Sequence, residues 1–336
     1  MKRHKVNRSV LKYAIHVIFV GFFVFWLSQI DTSKLGSVLG NLRVRYIVYF
    51  IASYVLSYAL YAKKYHLLFS RIKQVRYIDL FFLTCSGSYS NFIVPASGEV
   101  LKAYVLKKRE GIPLANSAVI ILLERFLSTV ILLFLLWFVI SFIDLPSSLR
   151  KVVLYSLIIL TASIVVGGFV IHRRDRIKQV LEKILEIPPL KYLSRDTIRK
   201  INQPETLRQV FSFEVMFYFT VYSLAKFVFD GFRLYFILRT IGYDLPYLHC
   251  LAAKAIINSA VMIPILPASI GSFEFVSVSI LHYLFAVPLE INILEIFIER
   301  LLSTLLLFIL GFVSLGYLNI SKEEIGEEVA VSPQLE

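Results

Sequence analysis

The sequence predicts an all-α polytopic membrane protein: about six spanning helices and two re-entrant broken-helix hairpins, related by an inverted internal repeat. Three observations predict it. Apolar residues make up 57% of the chain, against roughly 45–50% in soluble domains, and they fall in runs long enough to cross a bilayer. The net charge of +13 comes from basic residues between those runs, a pattern of membrane topology rather than of nucleic-acid binding. A charged motif of the first half recurs in the second at a fixed offset.

The elements follow in order. Lys2, Arg3, Lys5, Arg8 and Lys12 precede an apolar run at 13–30. No small-x-small cleavage site follows it, so it reads as an uncleaved first span with a cytoplasmic N-terminus. Further spans are expected at 46–62, 116–140, 151–171, 212–240 and 292–317.

The apolar stretches 78–97 and 250–270 are ambiguous, and charge parity decides the first. Loop 63–76 holds Lys63, Lys64, Arg71, Lys73 and Arg76, and segment 98–111 holds Lys102, Lys107, Lys108 and Arg109. Loop 172–208 holds ten basic residues. All three belong on the cytoplasmic side, and a crossing at 78–97 would put the last two outside. A hairpin that enters and leaves on one side keeps all three in. Ser86, Gly87, Ser88, Ser90, Asn91, Pro95, Ser97 and Gly98 suit a broken helix turning inside protein. Residues 99–110 and 176–187 read as amphipathic helices lying at the interface, where basic side chains meet anionic head groups. Residues 1–320 thus form one transmembrane domain. Repeat one covers about 46–140, repeat two about 212–317, with a basic cytoplasmic linker at 172–208 and a disordered tail at 321–336.

The repeat is specific. Pro113-Leu114 and Glu124-Arg125-Phe126-Leu127-Ser128-Thr129 recur as Pro288-Leu289 and Glu299-Arg300-Leu301-Leu302-Ser303-Thr304, at an offset of 175. Glu99 maps to Glu274 at the same offset. Pro95-Ala96-Ser97 recurs as Pro267-Ala268-Ser269, and Tyr65 and Tyr77 match Tyr235 and Tyr247 at an offset of 170. The hairpin turns are expected at Asn91, Pro95 and Gly98 and at Pro267 and Gly271.

A charge in the middle of a spanning helix costs about 2.5–3.5 kcal/mol, so such groups face the protein interior and pair. Neighbours on a helix point about 100° apart, so Glu124 and Arg125 are poor partners for each other. Cross-pairs are expected instead: Arg125 with Glu99, and Arg300 with Glu274. Lys226, Asp230 and Arg233 share one face of span 212–240. Lys254 is either a partner for Asp230 or a phosphate contact. These charges either anchor the hairpins or line a cavity for a lipid head group. The candidates for that pathway are Glu99, Lys102, Glu124, Arg125, Asp230, Lys254, Glu274, Glu299 and Arg300. No C-x-x-C, H-E-x-x-H or Walker A pattern is present, so no metal, cofactor or catalytic residue is expected.

Asn91-x-x-x-Pro95-Ala96-Ser97-Gly98-Glu99-Val100-Leu101-Lys102, Gly111-Ile112-Pro113 and Glu124-Arg125 together resemble the transmembrane region of lysylphosphatidylglycerol synthases, the flippase-like domain. Pro267-Ala268-Ser269-Ile270-Gly271-x-x-Glu274 resembles the second signature of that family. The resemblance covers roughly 10–320. It departs at Lys102, where members commonly carry arginine, and at Ser128, where they carry an acid. It implies a plasma-membrane domain that moves, or helps to move, modified lipids between leaflets. The chain ends soon after its last expected span, leaving no room for the soluble synthase domain, so no enzymatic activity is expected. The expected partners are membrane lipids, anionic or phosphate-bearing, and a possible separate lipid-modifying enzyme. The expected path of the head group runs between the two hairpins. The alternatives are a non-transporting partner of a lipid-modifying enzyme and a membrane-embedded glycosyl or aminoacyl transferase.

Overall fold

A computed structural model describes residues 40, 42–94, 97–143, 158, 161–162, 212–260 and 272–319. The expected span 13–30, most of 151–171, the linker 172–208, the tail 321–336 and the turn residues Pro95, Pro267 and Gly271 lie outside them. The described residues form an all-α protein: α1 (Arg45–Phe69), α2 (Tyr77–Ile93), α3 (Ser97–Glu110), α4 (Leu114–Ile140), α5 (Phe213–Ile241), α6 (Tyr247–Ala260), α7 (Ser272–Ser279) and α8 (Leu289–Tyr317). A π-helical turn, Ile280–Leu284, continues α7. Asn116–Ile140 within α4, together with α5 and α8, is long and apolar enough to cross a membrane. Helix α1 is of similar length, but six tyrosines from Tyr46 to Tyr65 lower its hydropathy.

The repeat is visible in the backbone. Tyr77 donates its hydroxyl to Ala59 O, and Tyr247 donates to Val228 O. The N–H groups of Asp79 and Leu80 bond to Arg76 O, as those of His249 and Cys250 bond to Pro246 O at an offset of 170. Beyond the hairpins the offset becomes 175. Ile112 N–H reaches back to Leu106 O, and Val287 N–H to Leu281 O. Gly111 ends α3 with a φ of +65°, and Ala286 holds the equivalent place with a φ of +52°. The first copy uses the residue that enters the left-handed region without steric cost, whereas the second strains an alanine there. Pro113 and Pro288 then open α4 and α8, where a missing N–H costs nothing, and each carbonyl accepts the N–H four residues on.

The described residues divide into two compact units that follow the copies. Among the described residues, one unit draws on 56–91, 97–143, 212–226 and 307–319, and the other on 42–55, 92–94, 227–260 and 272–306. In the unit with the first copy, Leu68, Phe69, Leu80, Leu101, Leu106, Ile120 and Phe219 form the core. In the unit with the second, Val278, Ile293 and Ile296 pack together.

Helices α2 and α3 form a closed hairpin. Their 17 and 14 residues span about 25 and 21 Å at 1.5 Å per residue, short of the roughly 30 Å hydrocarbon layer. At the open end Lys73 pairs with Glu110 at 3.9 Å, and Asp79 lies 3.9 Å from Arg109. At the turn Ser90 Oγ meets Ser97 Oγ at 2.6 Å, and Asn91 Oδ1 accepts the Gly98 N–H at 2.7 Å. The second bond caps α3 from across the turn, satisfying a donor that the first helical turn leaves open.

This arrangement corrects two sequence expectations. The hairpin is 77–110 rather than 78–97, and 99–110 is its second arm, not a helix on the membrane surface. Lys102 is buried there with Leu101, Ala103, Val105 and Leu106, because the small residues of α2 let α3 approach on that side. Helix α1 also runs through Lys63 and Lys64 to Phe69 rather than ending at 62. Lys64 is buried on an acid of α4, and Lys63 stacks 4.5 Å from the Tyr77 ring, so neither needs a loop to reach water. Because both ends of the hairpin lie together, cysteines placed at exposed Lys73 and Lys107 are expected to react with an impermeant reagent from the same side of the membrane. Labelling from opposite sides would overturn the re-entrant assignment.

Candidate functional site

The first copy contains one continuous polar network built by α1, α3 and α4. Lys64 Nζ lies 2.6 Å from Glu124 Oε1 and 2.6 Å from Ser128 Oγ, and Ser128 donates back to Glu124 at 2.6 Å. The Tyr65 hydroxyl donates to the other oxygen of Glu124 at 3.4 Å. Lys102 donates to Tyr65 at 3.1 Å and pairs with Glu99 at 2.7 Å. Glu99 then pairs with Arg125, the first of the expected cross-pairs, and accepts from Asn91 Nδ2 at 3.3 Å. Helical spacing explains the geometry: Glu124 and Ser128, four residues apart, share a face, while Arg125 points around the helix toward α3.

The lysine side chains lie deep, Lys64 at 1% exposure and Lys102 at 4%, whereas Arg125 remains 44% exposed. Among the described residues the network joins three cations, Lys64, Lys102 and Arg125, to two carboxylates, Glu99 and Glu124. Its surplus positive charge is therefore presented through a guanidinium with open N–H edges.

In the second copy, helices α5, α6, α7 and α8 build the counterpart. Arg300 Nε pairs with Glu274 at 2.7 Å, the second expected cross-pair, and its guanidinium stacks 4.2 Å from the Phe273 ring. Glu299 receives Lys254 at 2.5 Å and Arg233 at 3.2 Å. Arg233 also donates to Ser303 at 3.1 Å, lies 3.6 Å from Asp230, and stacks 4.8 Å from the Tyr54 ring. Asp230 is thus part of the network through Arg233. Lys254 meets Glu299, not Asp230.

In each copy one cation bridges a glutamate and the serine four residues on: Lys64 for Glu124 and Ser128, Arg233 for Glu299 and Ser303. The other lysine differs in origin. It comes from α3 in copy one (Lys102) and from α6 in copy two (Lys254).

Two members of these networks were not legible in the sequence. Lys64 stands in what reads as a basic cytoplasmic loop, and the repeat aligns Arg233 with Lys63, one residue away. Glu295 is buried one turn before Glu299 but has no acidic counterpart, since Ile120 holds its place in the first copy. Among the described residues no group of His, Cys, Asp and Glu could hold a metal ion.

The sequence pattern of the lysylphosphatidylglycerol synthase TM region matches residues 10–311. The chain is also 22% identical over 333 residues to UPF0104 membrane protein MJ1595 of Methanocaldococcus jannaschii, covering 94% of this chain and 96% of that one. The matched segment takes in both hairpins and both glutamate–arginine pairs, and this chain belongs to the lysylphosphatidylglycerol synthase TM region family of integral membrane proteins.

Proposed function

We propose that the protein moves an anionic, phosphate-bearing lipid between leaflets, with one docking station for the head group in each repeat. The observation that carries this reading is the pair of equivalent arginines. Each is anchored to a hairpin glutamate, and Arg125 and Arg300 remain 44% and 28% exposed above almost fully buried lysines. A guanidinium held from one side offers its remaining N–H groups to a phosphate, and it stays charged in a poor solvent for ions. The glutamate keeps the arginine in place without a ligand, and a phosphate competes for the same donors. The surplus cation of the first copy supplies the matching charge. On this reading the protein is a transporter and not an enzyme, it acts in the plasma membrane with its N-terminus in the cytoplasm, and the lipid is both substrate and solvent.

The test compares Arg125→Lys, Arg300→Lys and the double variant in liposomes, using fluorescent phosphatidylglycerol and phosphatidylcholine. Lysine keeps the charge but loses the planar fork, so each single variant is expected to slow phosphatidylglycerol translocation by roughly tenfold, the worth of about one charged hydrogen bond. Thermal stability should stay close to that of the wild type. A well-folded double variant with wild-type rates would remove the arginines from the pathway. A wild-type protein that translocates neither lipid would overturn the reading.

A further inference from the structure

Glu295 is a buried acid that the docking stations do not use. It lies one turn before Glu299 on α8, and the two are 1% and 4% exposed. Among the described residues no donor reaches either carboxyl oxygen of Glu295. Among the described residues, the charged and titratable groups near it include Glu299 on its own helix, Lys254 and Cys250 on α6, and Arg233 on α5. Both cations are bonded to Glu299, and Cys250 Sγ lies 3.8 Å from Leu245 O, which accepts its weak hydrogen bond. Glu295 and Glu299, four residues apart, share one buried face of α8.

Charge balance points to a proton on Glu295. Among the described ion pairs of the second copy, Arg233, Lys254 and Arg300 meet Asp230, Glu274 and Glu299, three against three. A neutral Glu295 leaves this cluster balanced. An ionised one would add an unpaired buried anion beside an existing carboxylate, with no hydrogen bond to compensate its lost hydration. The fold does not require an acid here, because buried Ile120 fills the equivalent place in copy one. The second copy has thus acquired an ionisable group that the architecture can do without.

We infer that Glu295, buried beside Glu299, is a proton-binding site, and that this site couples the protein's transport to protons. The coupling rests on the lipid-transport reading. An anion arriving at Arg300 or Arg233 adds negative charge to the cluster, which favours the protonated pair; loss of the proton leaves a net negative cluster, which disfavours the anion. Proton and anionic head group therefore bind together and leave together.

The experiment has two arms, both on the intact chain. Infrared difference spectra of the purified protein in H2O and D2O should show the C=O band of a protonated carboxyl, absent from Glu295→Gln. In liposomes loaded with fluorescent phosphatidylglycerol, wild-type translocation should respond to an imposed pH gradient. Glu295→Gln, a neutral side chain of the same shape, should translocate at the same rate with or without it. An unchanged band in Glu295→Gln would overturn the proton site. A lost band with an unchanged gradient response would overturn the coupling. Absence of wild-type translocation would overturn the transport reading and the coupling with it, and the infrared arm would still decide the proton site.

Discussion

Replacing Lys64 by methionine is expected to destabilise the protein by about 3–5 kcal/mol, the loss typical of breaking a buried pair from one side. The methionine fills much of the volume and is apolar, so packing is not the source. The loss comes from Glu124, 2% exposed, which keeps Ser128 and Tyr65 as donors but no adjacent cation. Thermal unfolding in detergent should show it as a fall of about 4–7 °C. The double variant Lys64→Met with Glu124→Leu removes both charges, and replacing a whole buried pair by apolar groups is often close to neutral. It should recover most of the loss, short of about 1 kcal/mol for each hydroxyl left without its acceptor. A single variant as stable as the wild type would show that the pair does not carry the fold at this point.

What the sequence made legible depended on whether a residue recurs. Glu99–Arg125 and Glu274–Arg300 could be paired in advance because both partners stand at the same offset in both copies and adjacent residues on one helix diverge. Lys64, and the depth at which Lys102 is buried, were hidden by averaging. The positive-inside rule counts basic residues per segment, and it treats a lysine buried on a glutamate like one in water. That is why α1 extends further, and α3 lies deeper, than the charge pattern implies. The 99–110 stretch looks amphipathic since its last turn, Lys107 to Arg109, is exposed and basic, while Lys102 two turns earlier is buried. Glu295 was hidden for the opposite reason. Comparing copies draws attention to what they share, and an acid opposite an isoleucine falls out of the comparison.

The copies differ in a physically coherent way. In the first, two carboxylates hold three cations, with the surplus on an exposed arginine. In the second, Asp230, Glu274 and Glu299 meet Arg233, Lys254 and Arg300, and a fourth acid, Glu295, is buried one turn from Glu299. On the proposed reading, the duplicated scaffold carries one station with surplus positive charge and one whose charge depends on protonation. Both keep the same backbone turn and the same glutamate–serine face on the last helix. The fold conserves the acceptors, and the cations move among helices to meet them.

The largest backbone effect is expected at the hairpin turn. A Cβ on Gly98 would lie 1.9 Å from Gly87 O and 2.7 Å from Asn91 Cγ. The first of these is backbone and cannot swing away, so α2 and α3 must separate. Separation breaks the Asn91 cap on Gly98 and the contacts between Ser90 and Ser97, which turn the chain. Overpacking of this kind costs about 1–3 kcal/mol, and each lost hydrogen bond adds about 1 kcal/mol. Gly98→Ala should therefore destabilise by roughly 4 kcal/mol or more. Gly87→Ala differs in kind: its Cβ meets the aliphatic stem of Lys102 at 2.7–3.1 Å, a side chain that can shift. That shift loosens the ammonium from Glu99 and Tyr65, so Gly87→Ala should cost less stability than Gly98→Ala and, on the transport reading, slow translocation. Gly316→Ala, with no atom within 4 Å of its Cβ, is the control and should be neutral or slightly stabilising in its helix. The three variants, compared for thermal stability and for phosphatidylglycerol translocation, separate the roles of the two glycines. Equal stability for Gly98→Ala and Gly316→Ala would mean that the arms do not touch as described, and the re-entrant hairpin would go with them.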